Sequence, residues 1–174
     1  MCAIQYPSWI KPEIIPGLPF LRWYGLMYLV AFTIAFVLFK VQVKQGELQR
    51  YAKSERPITN EDIVDFFTWS LFGLMLGARI FATLVYEPTW LYWQKPWLIF
   101  WPFSAEQEWT GLQGMSYHGG FIGCFLGGIL WTKRHKQDFF AWADTAVAGI
   151  PLGYTFGRIG NFLNGELYGR ITAS

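Results

Sequence analysis

Residues 21–39 read Leu-Arg-Trp-Tyr-Gly-Leu-Met-Tyr-Leu-Val-Ala-Phe-Thr-Ile-Ala-Phe-Val-Leu-Phe, and Lys40 follows. Between Arg22 and Lys40 there is no charged side chain. The hydrocarbon core of a bilayer takes roughly 20 apolar residues in helical form, so this stretch has the length and character of a membrane span. Working outward, three further apolar runs occur at residues 66–86, 117–131 and 139–162. Together they predict an all-α, polytopic membrane helix bundle of about four spans within one membrane domain.

The composition agrees. Hydrophobic residues make up 53% of the 174 residues, aromatic residues 20% and charged residues only 15%. A soluble domain carries about a quarter charged residues. The mean hydropathy is positive. A net charge of +2 with no Lys/Arg-rich block argues against a nucleic-acid partner. Cys2 and Cys124 form neither a disulfide framework nor a zinc-site spacing. Pro7, Pro12, Pro16 and Pro19 break the first twenty residues, which therefore make a poor secretory signal peptide. The N-terminus is expected to stay on the protein and lie along the membrane surface.

The connecting segments have distinct characters. Residues 40–65 form a polar loop in which Asn60-Glu61-Asp62 marks a helix start. Residues 87–113 are rich in Trp and Pro but broken by Lys95, Glu106 and Glu108. They read as an interfacial aromatic arm, because indole rings favour the headgroup level and prolines break a spanning helix. Lys40, Lys44, Arg50, Lys53 and Arg56 follow the first span, and Lys133, Arg134 and Lys136 follow the third. The excess of Lys and Arg on cytoplasmic loops then places the N-terminus, the aromatic arm and the end of the fourth span outside.

That orientation brings several polar residues to one depth. Arg22, Trp23 and Tyr24 open the first span at the outer face, His118 opens the third, and Arg158, Asn161 and Glu166 close the fourth. Arg79 lies slightly deeper, near the end of the second span. Ionisable groups in a bilayer are costly and face a cavity or a partner, so their shared depth points to a polar site near the outer leaflet.

Four motifs carry these residues, and each has a structural as well as a functional reading. Gly157-Arg158-Ile159-Gly160-Asn161-Phe162-Leu163-Asn164-Gly165-Glu166-Leu167-Tyr168-Gly169 sets one Arg, two Asn and one Glu among glycines. Arg158 could hold a phosphate bidentately, or could snorkel to headgroups above a tight exit loop. In Gly114-Met115-Ser116-Tyr117-His118-Gly119-Gly120, His118 is suited to take a proton and Gly119 to let a substrate approach. The alternative is a histidine hydrogen-bonded at a helix start. Gly73 and Gly77 form a small-xxx-small pair that signals close helix packing. Arg79 beside them needs an anionic partner, which Glu166 or a lipid phosphate could supply. In Arg22-Trp23-Tyr24-Gly25, Trp23 belongs to the aromatic belt and Tyr24 to belt or site. Asp144 reads as structural. No metal site or cofactor loop is evident, since His118 and His135 fall on opposite sides of the membrane.

Taken together, the runs Arg22–Tyr28, Gly77–Arg79, Gly114–Gly120 and Gly157–Gly169 resemble the prolipoprotein diacylglyceryl transferase family in sequence and order. Tyr117 stands where that family commonly has Phe. The resemblance implies a multi-pass enzyme of the bacterial inner membrane whose site faces the periplasm. Such enzymes move the diacylglyceryl group of phosphatidylglycerol onto the lipobox cysteine of a prolipoprotein signal peptide, and glycerol phosphate leaves. It makes His118 the base and Arg158 the phosphate ligand, with Tyr24 also catalytic. It places Asn161, Glu166 and Gly169 against the substrates, with Glu166 orienting Arg158. Arg79 and Gly119 join the substrate-binding set on their own chemistry, with an ion-pair role for Arg79 as the equal alternative. Family members continue well past the last motif, with further spans, another arginine and a tyrosine of functional importance. A non-catalytic lipid- or signal-peptide-binding membrane module is the alternative, and a transporter subunit is a third reading.

Overall fold

The computed structural model describes residues 6–7, 9–15, 22–52, 57–86, 90–101 and 114–166. Apart from an isolated bridge between Glu13 and Arg22, their regular structure is helical. In chain order the helices are α1 (Trp23–Lys44), α2 (Glu47–Tyr51), α3 (Asn60–Phe81), α4 (Trp90–Gln94), α5 (Tyr117–Arg134), α6 (Phe139–Val147) and α7 (Ile150–Leu163). A π-helical turn, Ala82–Tyr86, prolongs α3, and a 3₁₀ turn, Pro96–Ile99, follows α4. The chain divides into two compact units, Met1–Leu48 with Asp144–Ser174, and Gln49–Ala143.

Among the described residues, two helices are long and apolar enough to cross a bilayer, Trp23–Lys44 and Asn60–Tyr86. At 1.5 Å per residue the 22 residues of α1 reach about 33 Å, against a hydrocarbon core of about 30 Å. Much of the apolar surface of α1 is exposed: Leu29 is 66% exposed, and Val37 and Val41 are exposed as well. A contiguous apolar face of this size would be an aggregation patch in water, whereas lipid tails solvate it. The helix runs past Lys40 to Lys44, as a lysine stem near a helix end can when its ammonium snorkels toward the interface.

In the first unit α7 runs antiparallel along α1. Gly149 meets Ala35, Gly153 lies near Ala31, and Gly160 meets Met27 and Tyr24. The Gln42 Nε2 extends the line by donating to the Thr145 carbonyl at 3.2 Å. The N-terminal segment closes one end. Trp23 N donates to the Pro12 carbonyl (3.1 Å), and the Tyr6 hydroxyl donates to the Leu163 carbonyl (3.0 Å), an acceptor that the end of α7 leaves free.

The expected fourth span, residues 139–162, is not one helix. It breaks after Val147 and restarts at Ile150. Pro151 sits in the first turn of α7, where its missing N–H costs nothing, but the same residue cannot donate back to Val147 and end the break. Gly149, at the junction, lies so close to Ala35 that a Cβ there would stand 3.0 Å from the Ala35 Cα.

In the second unit α3 and α5 pack antiparallel along a seam of glycines. A Cβ on Gly73 would stand 2.2 Å from the Gly123 carbonyl oxygen, one on Gly77 2.3 Å from the Gly119 oxygen, and one on Gly127 2.3 Å from the Trp69 oxygen. Lipid supplies no hydrophobic drive between helices, so such backbone approach, with its dispersion contacts, is what joins them. Thr59 caps α3 reciprocally: Asp62 N donates to Thr59 Oγ1 (3.2 Å), and Thr59 N donates to Asp62 Oδ2 (2.9 Å). The helix therefore begins at Asn60, where the sequence marked its start. At that end of the pair Phe66, Trp131 and Trp142 form a buried aromatic cluster with centroids 4.6–5.5 Å apart. The third predicted span extends through Lys133 and Arg134.

Gly123→Ala would place its methyl 2.0 Å from the Gly73 oxygen, which is backbone and cannot swing away. The expected cost is about 1–3 kcal/mol or more, the usual range for overpacking. Gly25→Ala meets nothing within 4 Å and should leave stability unchanged. Thermal unfolding of both variants in detergent checks the contrast.

Candidate functional site

The polar residues singled out from the sequence fall into two groups, one in each unit. In the second unit they lie where the glycine seam ends. Ser116 N donates to the Ala78 carbonyl (3.0 Å), and Ser116 Oγ accepts from Gly119 N (3.2 Å), so Ser116 both caps α5 and ties it to α3. His118 follows one residue into α5 and is exposed. Its Nδ1 lies 2.8 Å from the Tyr86 hydroxyl, at the last residue of the π-helical turn. Gly119, expected to admit a substrate to the ring, is buried. A Cβ there would stand 2.3 Å from both the Gly77 oxygen and Phe81 Cβ, so this glycine is required by the helix packing itself.

Arg79 was expected to seek an anion. It is buried, and its Nε donates to the Ile99 carbonyl (2.5 Å) while Nη1 donates to the Gly114 carbonyl (3.3 Å). Ile99 ends the 3₁₀ turn that follows α4, and Gly114 leads into α5 at φ +75°, a conformation open to glycine. The planar guanidinium thus joins three separate stretches of backbone, work that a point charge could not do. Both carbonyl dipoles point at the cation and stabilise its charge.

In the first unit Tyr24 and Arg158 belong to the same end of the α1–α7 pair. The Tyr24 and Tyr28 hydroxyls are 2.8 Å apart, with their rings edge to face. Arg158 and Glu166 both act on Tyr24 electrostatically. Arg158 is exposed and is held by Tyr154 one turn earlier. Its Nε donates to the Tyr154 hydroxyl (2.9 Å), Nη2 donates to the same oxygen, and the guanidinium lies 4.8 Å from the ring centroid. Tyr154, rather than the expected Glu166, orients this arginine.

The spacing from Asn161 to Glu166 has a backbone explanation. Glu166 N donates to the Asn161 carbonyl (2.9 Å), and Gly165 N donates to the Phe162 carbonyl (3.0 Å), with Gly165 at φ +68°. This is a Schellman ending, in which the residue after the helix cap must be left-handed. Glu166 leaves α7 exposed and accepts from Asn164 Nδ2 (3.4 Å). A carboxylate is disfavoured at the negative end of a helix dipole, so stability does not account for Glu166. Gly169, also expected at the site, lies outside the described residues, as do residues 102–113 of the aromatic arm, Lys53 and Arg56 of the basic loop, and Pro16 and Pro19.

Tyr154 and Tyr86 escaped the sequence reading. Tyr154 precedes Arg158 by four residues, a spacing that puts both on one helix face, and could have been found. Tyr86 lies 32 residues from His118, so no local signal links them.

Long apolar helices with lipid-type exposure and ionisable groups gathered at helix ends define a helical membrane protein. The sequence matches the prolipoprotein diacylglyceryl transferase family over residues 14–174. Among curated relatives, the phosphatidylglycerol–prolipoprotein diacylglyceryl transferase of Treponema pallidum is 62% identical over 173 residues, covering 99% of this chain and 52% of its own. That of Treponema denticola is 65% identical over 178 residues, covering 100% of this chain and 52% of its own. That of Chlorobaculum tepidum is 40% identical over 173 residues, covering 97% and 56% respectively. The chain belongs to the prolipoprotein diacylglyceryl transferase family, and it spans about half the length of the curated relatives it matches.

Arg79→Lys keeps the charge but loses the fork. One ammonium cannot serve both the Ile99 and Gly114 carbonyls in their present places. The variant should lose about 1–3 kcal/mol, the cost of an unmet buried polar group. Chymotrypsin should also cut between Trp90 and Trp101 sooner than in the parent. Melting in detergent and limited proteolysis measure the two effects.

Proposed function

We propose that the chain takes part in transferring the diacylglyceryl group of phosphatidylglycerol to the lipobox cysteine of a prolipoprotein signal peptide. The carrying observation is the family match across residues 14–174, which includes every motif that holds an ionisable residue near a helix end. In this reading the protein is a multi-pass component of a bacterial inner membrane, with about four spans in this stretch of chain, the last one interrupted between α6 and α7. Its basic loops are cytoplasmic, and the His118 and Arg158 ends of the helices face the periplasm.

The chemistry is set by the groups. The thiol of the substrate peptide has an ordinary pKa of about 8.5 and attacks only as thiolate, so it benefits from a base. His118 takes the thiol proton. The sulfur forms a bond to the glycerol carbon next to the phosphate, and the carbon–oxygen bond to phosphate breaks. Glycerol phosphate leaves with the electron pair, and the proton on His118 can pass to it. Arg158 neutralises the charge that grows on the phosphate, through the face not occupied by Tyr154. Tyr24, placed by Gly160 and within electrostatic reach of Arg158 and Glu166, contributes a hydroxyl to the same group of residues. Asn161 and Glu166 serve the lipid headgroup, the family motif assigns Gly169 to the same task, and Arg79 and Gly119 act through the scaffold that carries His118. The protein's own cysteines take no part, since the nucleophile arrives with the substrate.

Transfer of labelled diacylglyceryl from phosphatidylglycerol vesicles to a lipobox peptide tests the proposal. His118→Gln should lower the rate by about 10²–10⁴-fold, the usual worth of a general base. Arg158→Ala should lower it by about 10²–10³-fold, the usual worth of a group that stabilises developing negative charge. Full transfer in both variants would remove these residues from the mechanism. Lipid and peptide binding with no transfer by the unaltered chain would favour the binding-module reading.

A further inference from the structure

The Tyr86–His118 contact has a chemical consequence that distance alone does not express. A neutral imidazole carries one proton, and its two nitrogens therefore have opposite roles. If the Tyr86 hydroxyl donates to Nδ1, the ring proton sits on Nε2 and that nitrogen cannot accept another. If Nδ1–H donates to Tyr86, the Nε2 lone pair is free. Nε2 has no hydrogen bond among the described residues, so it is the nitrogen left to meet a substrate. On the proposed function, His118 must accept a proton, and only the second arrangement permits it.

We propose that Tyr86 is a positioning residue for His118: its hydroxyl oxygen accepts a hydrogen bond from Nδ1–H and so leaves the Nε2 lone pair free. Three further observations support this. Tyr86 is 55% exposed, so close packing around its ring does not force the hydroxyl onto His118. Its ring is packed edge to face on Phe81, centroids 5.6 Å apart, which holds the hydroxyl in place independently of the histidine. Finally, Tyr86 ends a π-helical turn. Such a turn inserts one residue and rotates the residues beyond it by about 100° relative to an unbroken α-helix. The phase it sets is the one in which the hydroxyl reaches His118.

The test is the tautomer, read directly. The chain is labelled with ¹⁵N-histidine in a His135→Gln background, placed in nanodiscs containing phosphatidylglycerol, and observed at a pH where the ring is neutral. The expected spectrum shows the proton on Nδ1, and Tyr86→Phe, which keeps the contact with Phe81, should move it to Nε2. Tyr86→Phe should also lower transfer roughly 10- to 100-fold, the range seen when the partner orienting a metal-binding histidine is removed. Tyr117→Phe, which deletes a neighbouring hydroxyl, should change transfer less than twofold. A proton on Nε2 in the unaltered chain, or a tautomer indifferent to Tyr86→Phe, would overturn the assignment whatever the transfer assay gives. Failure of the proposed function would show instead as full transfer by His118→Gln, which leaves the tautomer result standing by itself.

Discussion

The second unit depends throughout on how closely the backbones of α3 and α5 approach. Gly73 and Gly77 on one helix face Gly119, Gly123 and Gly127 on the other, and a methyl at any of these positions would collide with main chain. In lipid, where apolar side chains gain little by leaving their surroundings, this contact is the available source of helix–helix stability. It also fixes register. Gly119 lies in the seam, so the preceding residue, His118, has one height relative to α3. Ala78 and Arg79 follow Gly77, so the carbonyl that receives Ser116 N and the guanidinium that binds two loop carbonyls stand at the same end. The seam is a packing feature, yet it determines where the histidine is.

The first unit reaches a similar result by other means. Gly149 and Gly160 let α7 lie against α1, and the N-terminal segment closes the end through Tyr6 and Pro12. At that end the Schellman turn, with Gly165 at its left-handed position, sends Glu166 away from the helix axis. Arg158 is kept extended by Tyr154 and not by a carboxylate. An arginine bound to a neutral hydroxyl retains its whole charge for an incoming phosphate, whereas a salt bridge would already have neutralised it. That difference suits a residue whose proposed work is to meet an anionic lipid.

Much of this was legible in the sequence, for identifiable reasons. Apolar runs of about span length marked α1, α3 and α5, with Arg22 and Lys40 bounding the first, Asp65 and Glu87 the second and Lys133 ending the third, because span length is set by bilayer thickness. Asn60-Glu61-Asp62 marked the start of α3, because capping is local. Gly73 and Gly77 announced close packing, because their spacing is that of a helix face. The break between α6 and α7 was hidden, since the apolar run continues through it and a proline in a first turn is as compatible with a helix start as with a kink. The packing role of Gly119 was hidden because its neighbours, Gly77 and Phe81, come from a distant part of the chain. The carbonyl partners of Arg79 were hidden for the same reason: Ile99 and Gly114 are 20 and 35 residues away, and backbone acceptors leave no mark in side-chain chemistry.

The register of α3 against α5 can be tested by a covalent link. A Cβ built on Gly128 would stand 3.5 Å from Ser70 Oγ, close to the geometry a disulfide needs. With Cys2→Ser and Cys124→Ala removing the native thiols, Ser70→Cys paired with Gly128→Cys should close an intramolecular disulfide in lipid on mild oxidation. Mass spectrometry would show the loss of two hydrogens and no uptake of maleimide. If both thiols remain free to react, or link only between chains, the helices do not meet in this register, and the placement of His118 fails with it.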